Sequence, residues 1–338
     1  MRFWERQQQA RSSTSWLLLA FALCVLAVVA SVHLGLMLAW WLIPLGLPFP
    51  KGFLAVNVGV TLLFIVGGWW IETDQLRHGG RKLAERIGAR QARPDSSFAE
   101  QQLCNIVQEM CIAANMPAPE VTVLARTEAI NAFAAGWDEN DAIIAVTQGA
   151  LEQLSREEIQ GLVAHELSHL REGDTRRNMQ LAGMVYGLEL IYNFGESLRE
   201  REGFAWWFGN FIMAAGFVGW LGGQVLKASV SRQREYLADA RAVQWTRSKD
   251  GLGGVLRKVM TQRAIAERQF GNWQADTRSY VGLGHRTVQH MLLTDTPHQN
   301  RLEDWLESHP SIEDRVLRIY GRAMRPLPLP VNTEPVGR

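Results

Sequence analysis

His165, Glu166 and His169 fall in the run His165-Glu166-Leu167-Ser168-His169. On a helix, two histidines four residues apart sit about 40° apart in azimuth, so both imidazoles reach one point off the same face. Imidazole nitrogens that converge in this way suit a metal such as zinc. The glutamate between them projects beside that point, where it can take a proton from water activated there. This is the HExxH pattern, and its chemistry is metal-assisted hydrolysis. The competing reading is a charged surface helix carrying two unrelated histidines, and the flanking residues disfavour it.

Those residues spell a helix. Ser155 is followed three positions later by Glu158, a capping-box pair, with Leu154 and Ile159 at the staple positions. Leu162, Val163, Leu167 and Leu170 supply an apolar side at helical spacing, and Gly173 is placed to stop the helix. A polar trio on a helix otherwise built for a core has little use as solvent-facing decoration.

Two histidines leave a zinc short of protein ligands. The run Ser231-Arg232-Gln233-Arg234-Glu235-Tyr236-Leu237-Ala238-Asp239 can supply the third. Glu235 and Asp239 stand one helical turn apart, and Ala238, Ala240 and Ala242 allow close packing. A Glu235 ligand would complete a two-His-one-Glu set and leave the fourth position open, as a catalytic site requires. Asp239 could then hold the far nitrogen of a ligand histidine and fix its tautomer. The residues alone read equally well as an ordinary charged helix in which Glu235 pairs with Arg232.

The elements around these motifs divide into apolar and polar stretches. Trp16 to Ile43 contains no charged residue, and Gly52 to Ile71 is again uncharged, with Pro44, Pro48, Pro50 and Lys51 between them. Both are of spanning length, so they predict a transmembrane hairpin. A signal peptide would be shorter and would carry a small-residue cleavage site. Tryptophans at Trp16, Trp40, Trp41, Trp69, Trp70, Trp206, Trp207 and Trp220 lie in or beside apolar runs, as interfacial anchors do. Arg2, Arg6 and Arg11 precede the first span, and Arg77, Arg81, Lys82, Arg86, Arg90 and Arg93 follow the second. The positive-inside rule therefore puts both ends, and the HExxH helix, in the cytoplasm.

Phe204 to Leu226 is a third apolar region, and Met179 to Phe194 is moderately apolar but contains Glu189. Each reads as a span or as a buried core helix. If ligands on both sides share one metal, the chain between them crosses the bilayer an even number of times. Both segments span, or neither does.

In the polar part, Phe98 to Asn115 reads as a helix and Val121 to Ala125 as a strand. Ala129 to Trp137 and Ala142 to Thr147, joined by Asp138-Glu139-Asn140-Asp141, read as a β-hairpin. The sheet must at least cover the metal helix. Its exposed edge at Asn131, Ala132, Phe133 and Ala134 can also pair with an extended peptide through main-chain hydrogen bonds. A net charge of +1 gives no electrostatic case for nucleic acid as a partner. Cys24, Cys104 and Cys111 form no paired framework and read as reduced, buried thiols. His285, His290 and His298, scattered in a polar segment, read as surface residues, and Pro326, Pro328 and Pro330 mark an extended tail.

Taken together, the N-terminal hairpin, Asn131-Ala132-Phe133-Ala134-Ala135-Gly136, the HELSHL run from His165 to Leu170, and the run from Ser231 to Asp239 closely resemble the HtpX family. That family comprises membrane-embedded zinc metalloproteases related to the CAAX prenyl proteases. The resemblance covers most of residues 1–245. It implies a mainly α membrane protein with a small β-sheet: a zincin-type (gluzincin) metalloprotease domain plus transmembrane helices. It implies one Zn2+ per chain on His165, His169 and Glu235, with Glu166 as general base, and a membrane hairpin between HExxH and the third ligand. Ser308-His309-Pro310-Ser311-Ile312-Glu313-Asp314-Arg315 resembles a late His-Pro…Arg element of such proteases. That likeness makes His309 a candidate donor to a developing oxyanion. Its other reading is a plain helix start with Pro310 at the first helical position.

The expected organisation is a cytoplasmic N-terminus over 1–14 and a transmembrane hairpin over 15–72. The protease domain follows over 73–177 and resumes over 228–325, interrupted by a second hairpin over 178–227, with a tail over 326–338. Residues 250–305 match nothing recognisable. The resemblance implies polypeptide substrates, misfolded membrane proteins among them, in a bacterial inner membrane. A zinc-stabilised scaffold without activity and a processing protease with one defined substrate are the alternatives. An intact Glu166 argues against the scaffold, because a structural metal needs no base.

Overall fold

The computed structural model describes residues 3–43, 48–270, 291–293 and 309–330. The expectations for Pro44, His285, His290, His298 and residues 331–338 of the tail lie outside the described residues. The chain divides into two compact units. One comprises Met1–Arg77 with Met179–Ser229, the other His78–Asn178 with Val230–Arg338.

The first unit is helical. It contains α1 (Phe3–Trp41), α2 (Phe53–Leu76), most of α7 (Asp174–Arg199) and the first half of α8 (Phe204–Thr246). Among the described residues, three helices are long and apolar enough to cross a membrane: Trp16–Trp41, Phe53–Leu76 and Phe204–Lys227. Their outward side chains are apolar; Trp16, Trp41, Trp70 and Trp206 are all exposed. Lipid is the solvent that such a surface fits, so the protein is a multi-pass membrane protein. The charge that stands out in α7 has a partner. Glu189 and Lys227 are both buried and approach to 3.3 Å, so neither is left alone in an apolar interior.

The second unit is built around a four-stranded sheet. Its strands are β1 (Arg90–Gln91), β2 (Glu120–Leu124), β3 (Ala132–Ala135) and β4 (Ile143–Thr147), in the order β1-β2-β4-β3. β3 and β4 form the expected hairpin, with Phe133 opposite Ala145, while β2 runs parallel to β4. Helices α3 (Gly79–Arg86), α4 (Phe98–Ala114), α5 (Gln148–Gln153), α6 (Arg156–Glu172), α9 (Asp250–Phe270) and α10 (Ile312–Tyr320) complete it. The core joins Leu103, Ile106 and Val107 of α4, Ile144 and Val146 of β4, Leu162, Val163 and Leu167 of α6, and Val255 and Leu256 of α9.

α6 is held from both ends and along its length. Ser155 and Glu158 form the reciprocal capping box, and Gly173 closes the helix in the left-handed conformation at φ 67°. At Gly161 a Cβ would come within 2.2 Å of the Leu252 backbone nitrogen. Only glycine lets α9 approach this closely. Glu158 also accepts a hydrogen bond from Lys258 at 2.7 Å, which ties α9 to the helix start.

Candidate metal centre

α6 brings His165, Glu166 and His169 into the second unit, with His165 and Glu166 buried. The two imidazoles lie edge to face, their centroids 4.8 Å apart and their planes at 81°. Glu235 arrives on α8 and closes a triangle. His165 Nε2 is 3.2 Å from His169 Nε2, Glu235 Oε1 is 3.4 Å from His169 Nε2, and Glu235 Oε2 is 3.6 Å from His165 Nε2. Ligands about 2.0–2.2 Å from a tetrahedral zinc stand about 3.3–3.5 Å from one another, so these three edges have the size of one coordination shell. His165, His169 and Glu235 form the one such group among the described residues.

The surroundings prepare the same nitrogens. Asp239 Oδ1 lies 3.1 Å from His165 Nδ1, and Asp174 Oδ2 lies 3.0 Å from His169 Nδ1. A carboxylate facing each Nδ1 keeps the proton there and leaves the Nε2 lone pair for a metal. Arg315, fully buried on α10, grips Asp239 with Nε at 2.9 Å and Nη2 at 2.7 Å, and sets Nη1 3.4 Å from Glu235. Glu235 and Asp239 thus both face the Arg315 guanidinium, whose charge Glu166 also feels, and the converging His165, His169 and Glu235 donors would suit a divalent cation.

The electrostatics follow from these contacts. Burial opposes protonation of His165, but Asp239 and Glu235 outweigh it and raise the imidazole to about 9. For Glu235, burial is overcome by His309, His165 and Arg315, which hold the carboxyl well below the usual range. Asp239 is likewise held down, chiefly by Arg315 against the effect of burial. Glu166 goes the other way. Burial pushes its carboxyl up, with the two imidazoles opposing. A carboxyl raised in this manner is suited to both accepting and returning a proton.

The late motif reaches the same place. His309 Nδ1 lies 3.2 Å from Glu235 Oε2. The helix start beside it differs from the sequence expectation. Ser311 is the cap, its hydroxyl accepting from Asp314 N at 3.2 Å, so Pro310 precedes the cap instead of opening the helix.

β3 is the edge of its sheet, yet it is not exposed: Ala132, Phe133, Ala134 and Ala135 are all buried. Phe133 pairs antiparallel with Leu292, and Leu293 N donates to Ala132 O at 3.0 Å. Asn131, just before the strand, offers its side-chain oxygen to both Ala132 N and Leu293 N. The segment Met291–Leu293 therefore covers a strand that the sequence alone leaves open.

Three participants escaped sequence reasoning. Asp174 follows the Gly173 stop immediately, so the reversal after α6 is the signal that could have found it. Arg315 stands within the late motif, but nothing local distinguishes it from a solvated helical arginine. Leu293 enters through its backbone and carries no sequence signal.

A gluzincin-type metallopeptidase domain carried with membrane helices is the class that this fold and donor set define. Residues 97–323 match peptidase family M48, and the chain belongs to that family. It is 32% identical over 222 residues to the protease HtpX homolog of Dictyoglomus thermophilum, covering 64% of this chain and 68% of the relative. It is 33% identical over 232 residues to that of Lactobacillus acidophilus, covering 64% and 72%. The likeness to the Caldanaerobacter subterraneus homolog is 30% over 284 residues, covering 78% and 85%. No solved structure matches the chain significantly.

Proposed function

We propose that this metalloprotease is a zinc endopeptidase of membrane protein quality control, acting at the cytoplasmic face of a bacterial inner membrane. The observation that carries the reaction is Glu166, buried between two histidines whose Nε2 atoms converge with Glu235. Zinc held there supplies a Lewis acid that makes water a nucleophile near neutral pH. Glu166 takes the proton from the attacking water and delivers it to the departing amine. His165, His169 and Glu235 act as ligands, and Asp239 orients His165 from behind. His309, 3.2 Å from Glu235, donates to the oxyanion as it develops. The strand from Asn131 through Ala134 receives the substrate backbone, which lets sequence-diverse unfolded polypeptides bind.

Arginines on both flanks of the first hairpin support the cytoplasmic assignment. The even-crossing argument extends it: with His165 and Glu235 in one unit, α7 and the first half of α8 cross together or not at all, and the spanning length and apolar character of Phe204–Lys227 favour the crossing hairpin. Protein purified in detergent, supplied with zinc and casein, tests the reading. Glu166→Gln should retain about one zinc per chain and lose hydrolysis. Cleavage at the parent rate would refute Glu166 as the base.

A further inference from the structure

The segment Met291–Leu293 lies where a substrate strand would lie. β3 offers its outer edge to peptide, and Leu292 already pairs antiparallel with Phe133 there. The contact is a single bridge and not a ladder among the described residues. Yet every polar group of the Leu293 backbone is engaged. Its N–H donates to Ala132 O and to Asn131 Oδ1, both at 3.0 Å, and its carbonyl accepts from Arg315 Nη1 at 2.7 Å. Arg315 is the same guanidinium that grips Asp239 and faces Glu235, so this peptide group stands beside the metal ligands. Leu292 and Leu293 are each 1% exposed, in an apolar setting.

We propose that Met291–Leu293 is a built-in occupant of the substrate strand, which incoming peptide must displace. The inference rests on the reading of β3 as the substrate strand. An extended peptide with a large aliphatic residue opposite Phe133 re-forms the same main-chain bonds and refills the same apolar space. Exchange is then nearly balanced in bonds made and lost. A polar residue at that position would leave the space poorly filled. The subsite therefore selects extended segments of Met- or Leu-like character, and the occupant screens out weaker binders.

The bridge sets Phe133 opposite Leu292, a pairing whose Cα separation, about 4.5 Å, falls within disulfide range. The experiment uses full-length protein with Phe133→Cys and Leu292→Cys, in a background lacking Cys24, Cys104 and Cys111. The oxidised form should lose casein hydrolysis by at least about tenfold while retaining zinc, and reductant should restore it. Full turnover when oxidised would overturn the proposal. Leu292→Ser is the independent arm, which does not depend on how the cysteine pair folds. A weakened occupant should lower KM for casein by roughly tenfold with little change in kcat. An unchanged or raised KM would overturn the proposal too. Hydrogen exchange in Glu166→Gln protein separates this idea from its premise. The probe is a synthetic peptide carrying Met-Leu-Leu between alanines. Protection at Ala134, whose N–H faces the outer edge, upholds β3 as the substrate strand; protection that appears only once Leu292→Ser is added keeps that premise and overturns displacement in the parent. No protection there in either protein would remove the premise itself.

Discussion

Arg315 and Asp239 form a two-point ion pair, Nε to Oδ2 at 2.9 Å and Nη2 to Oδ1 at 2.7 Å, with the guanidinium wholly out of solvent. The pair matters because Asp239 also faces His165 Nδ1 at 3.1 Å. Arginine fixes the carboxylate, the carboxylate fixes the imidazole, and the imidazole presents Nε2 to its neighbours on α6 and α8. A lysine at 315 could supply charge but not the planar fork.

Asp239→Ala should therefore weaken zinc binding or activity by about 10–100-fold while leaving His165 able to bind metal. Arg315→Met should do more harm, destabilising the domain by about 3–5 kcal/mol, because it strands a buried carboxylate. Competitive zinc chelation and denaturant unfolding of both variants would check the order. Equal, negligible effects on metal content and unfolding would refute it.

The parts of this centre that were legible in sequence are local. The capping box and apolar spacing of α6 place His165, Glu166 and His169 on one face, and the one-turn spacing of Glu235 and Asp239 is visible by inspection. The β3–β4 hairpin shows itself through its polar turn between two apolar runs. What was not legible depends on chain brought in from far away. Arg315 meets Asp239 across 76 positions, and Leu293 meets Asn131 across 162. No helical or strand period encodes such meetings. The coverage of β3 in particular depends on a backbone contact to which side-chain identity gives no clue. Glu189 illustrates the converse. In sequence it argues against a span, whereas its pairing with Lys227 supplies the partner that such a residue needs.

Glu100 predicts a pH response remote from the metal. It is buried at the first turn of α4 and accepts from Arg90 Nη2 at 2.7 Å, Arg90 Nη1 at 2.9 Å and Arg93 N at 2.6 Å. The Arg90 hydrogen bonds lead in holding its carboxyl below the ordinary value, against the cost of burial. A carboxyl depressed in the fold stabilises above the unfolded-state pKa, and that stability is lost as pH falls through the folded value. Glu100→Gln should lower thermal stability at neutral pH and flatten its decline on acidification. Thermal unfolding from neutral pH to about pH 3 would show this, with parent and variant converging at the acid end. Parallel curves would exclude Glu100 as a contributor.

The crossing of α7 and α8 can be tested directly. If both span, the connection around Ser197 is outside while His165 and Glu235 are inside. Ser197→Cys, in a background lacking the native cysteines, should react with an impermeant maleimide in intact cells. Gly46→Cys, between the first two spans and external by the arginine pattern, is the positive control. Labelling of position 197 only after lysis, with position 46 labelled normally, would keep α7 and α8 on the cytoplasmic side.

His309 is the residue whose role most needs separating from structure, because it stands at two junctions. Pro310 follows it and Ser311 caps α10, so its backbone leads into the helix that carries Arg315. Its side chain, meanwhile, lies 3.2 Å from Glu235 Oε2 and helps to hold that carboxyl in its charged form. An imidazole that only supported the helix start could be replaced without kinetic consequence once the protein had folded. One that donates to the oxyanion contributes chiefly in the transition state. His309→Ala should then lower kcat by roughly 10²–10³, leaving zinc content and unfolding temperature close to the parent. His309→Gln, which keeps a donor of similar reach, should recover part of the loss. Full turnover in the alanine variant, or loss of turnover that tracks loss of folded protein, would assign His309 to the architecture of α10 instead.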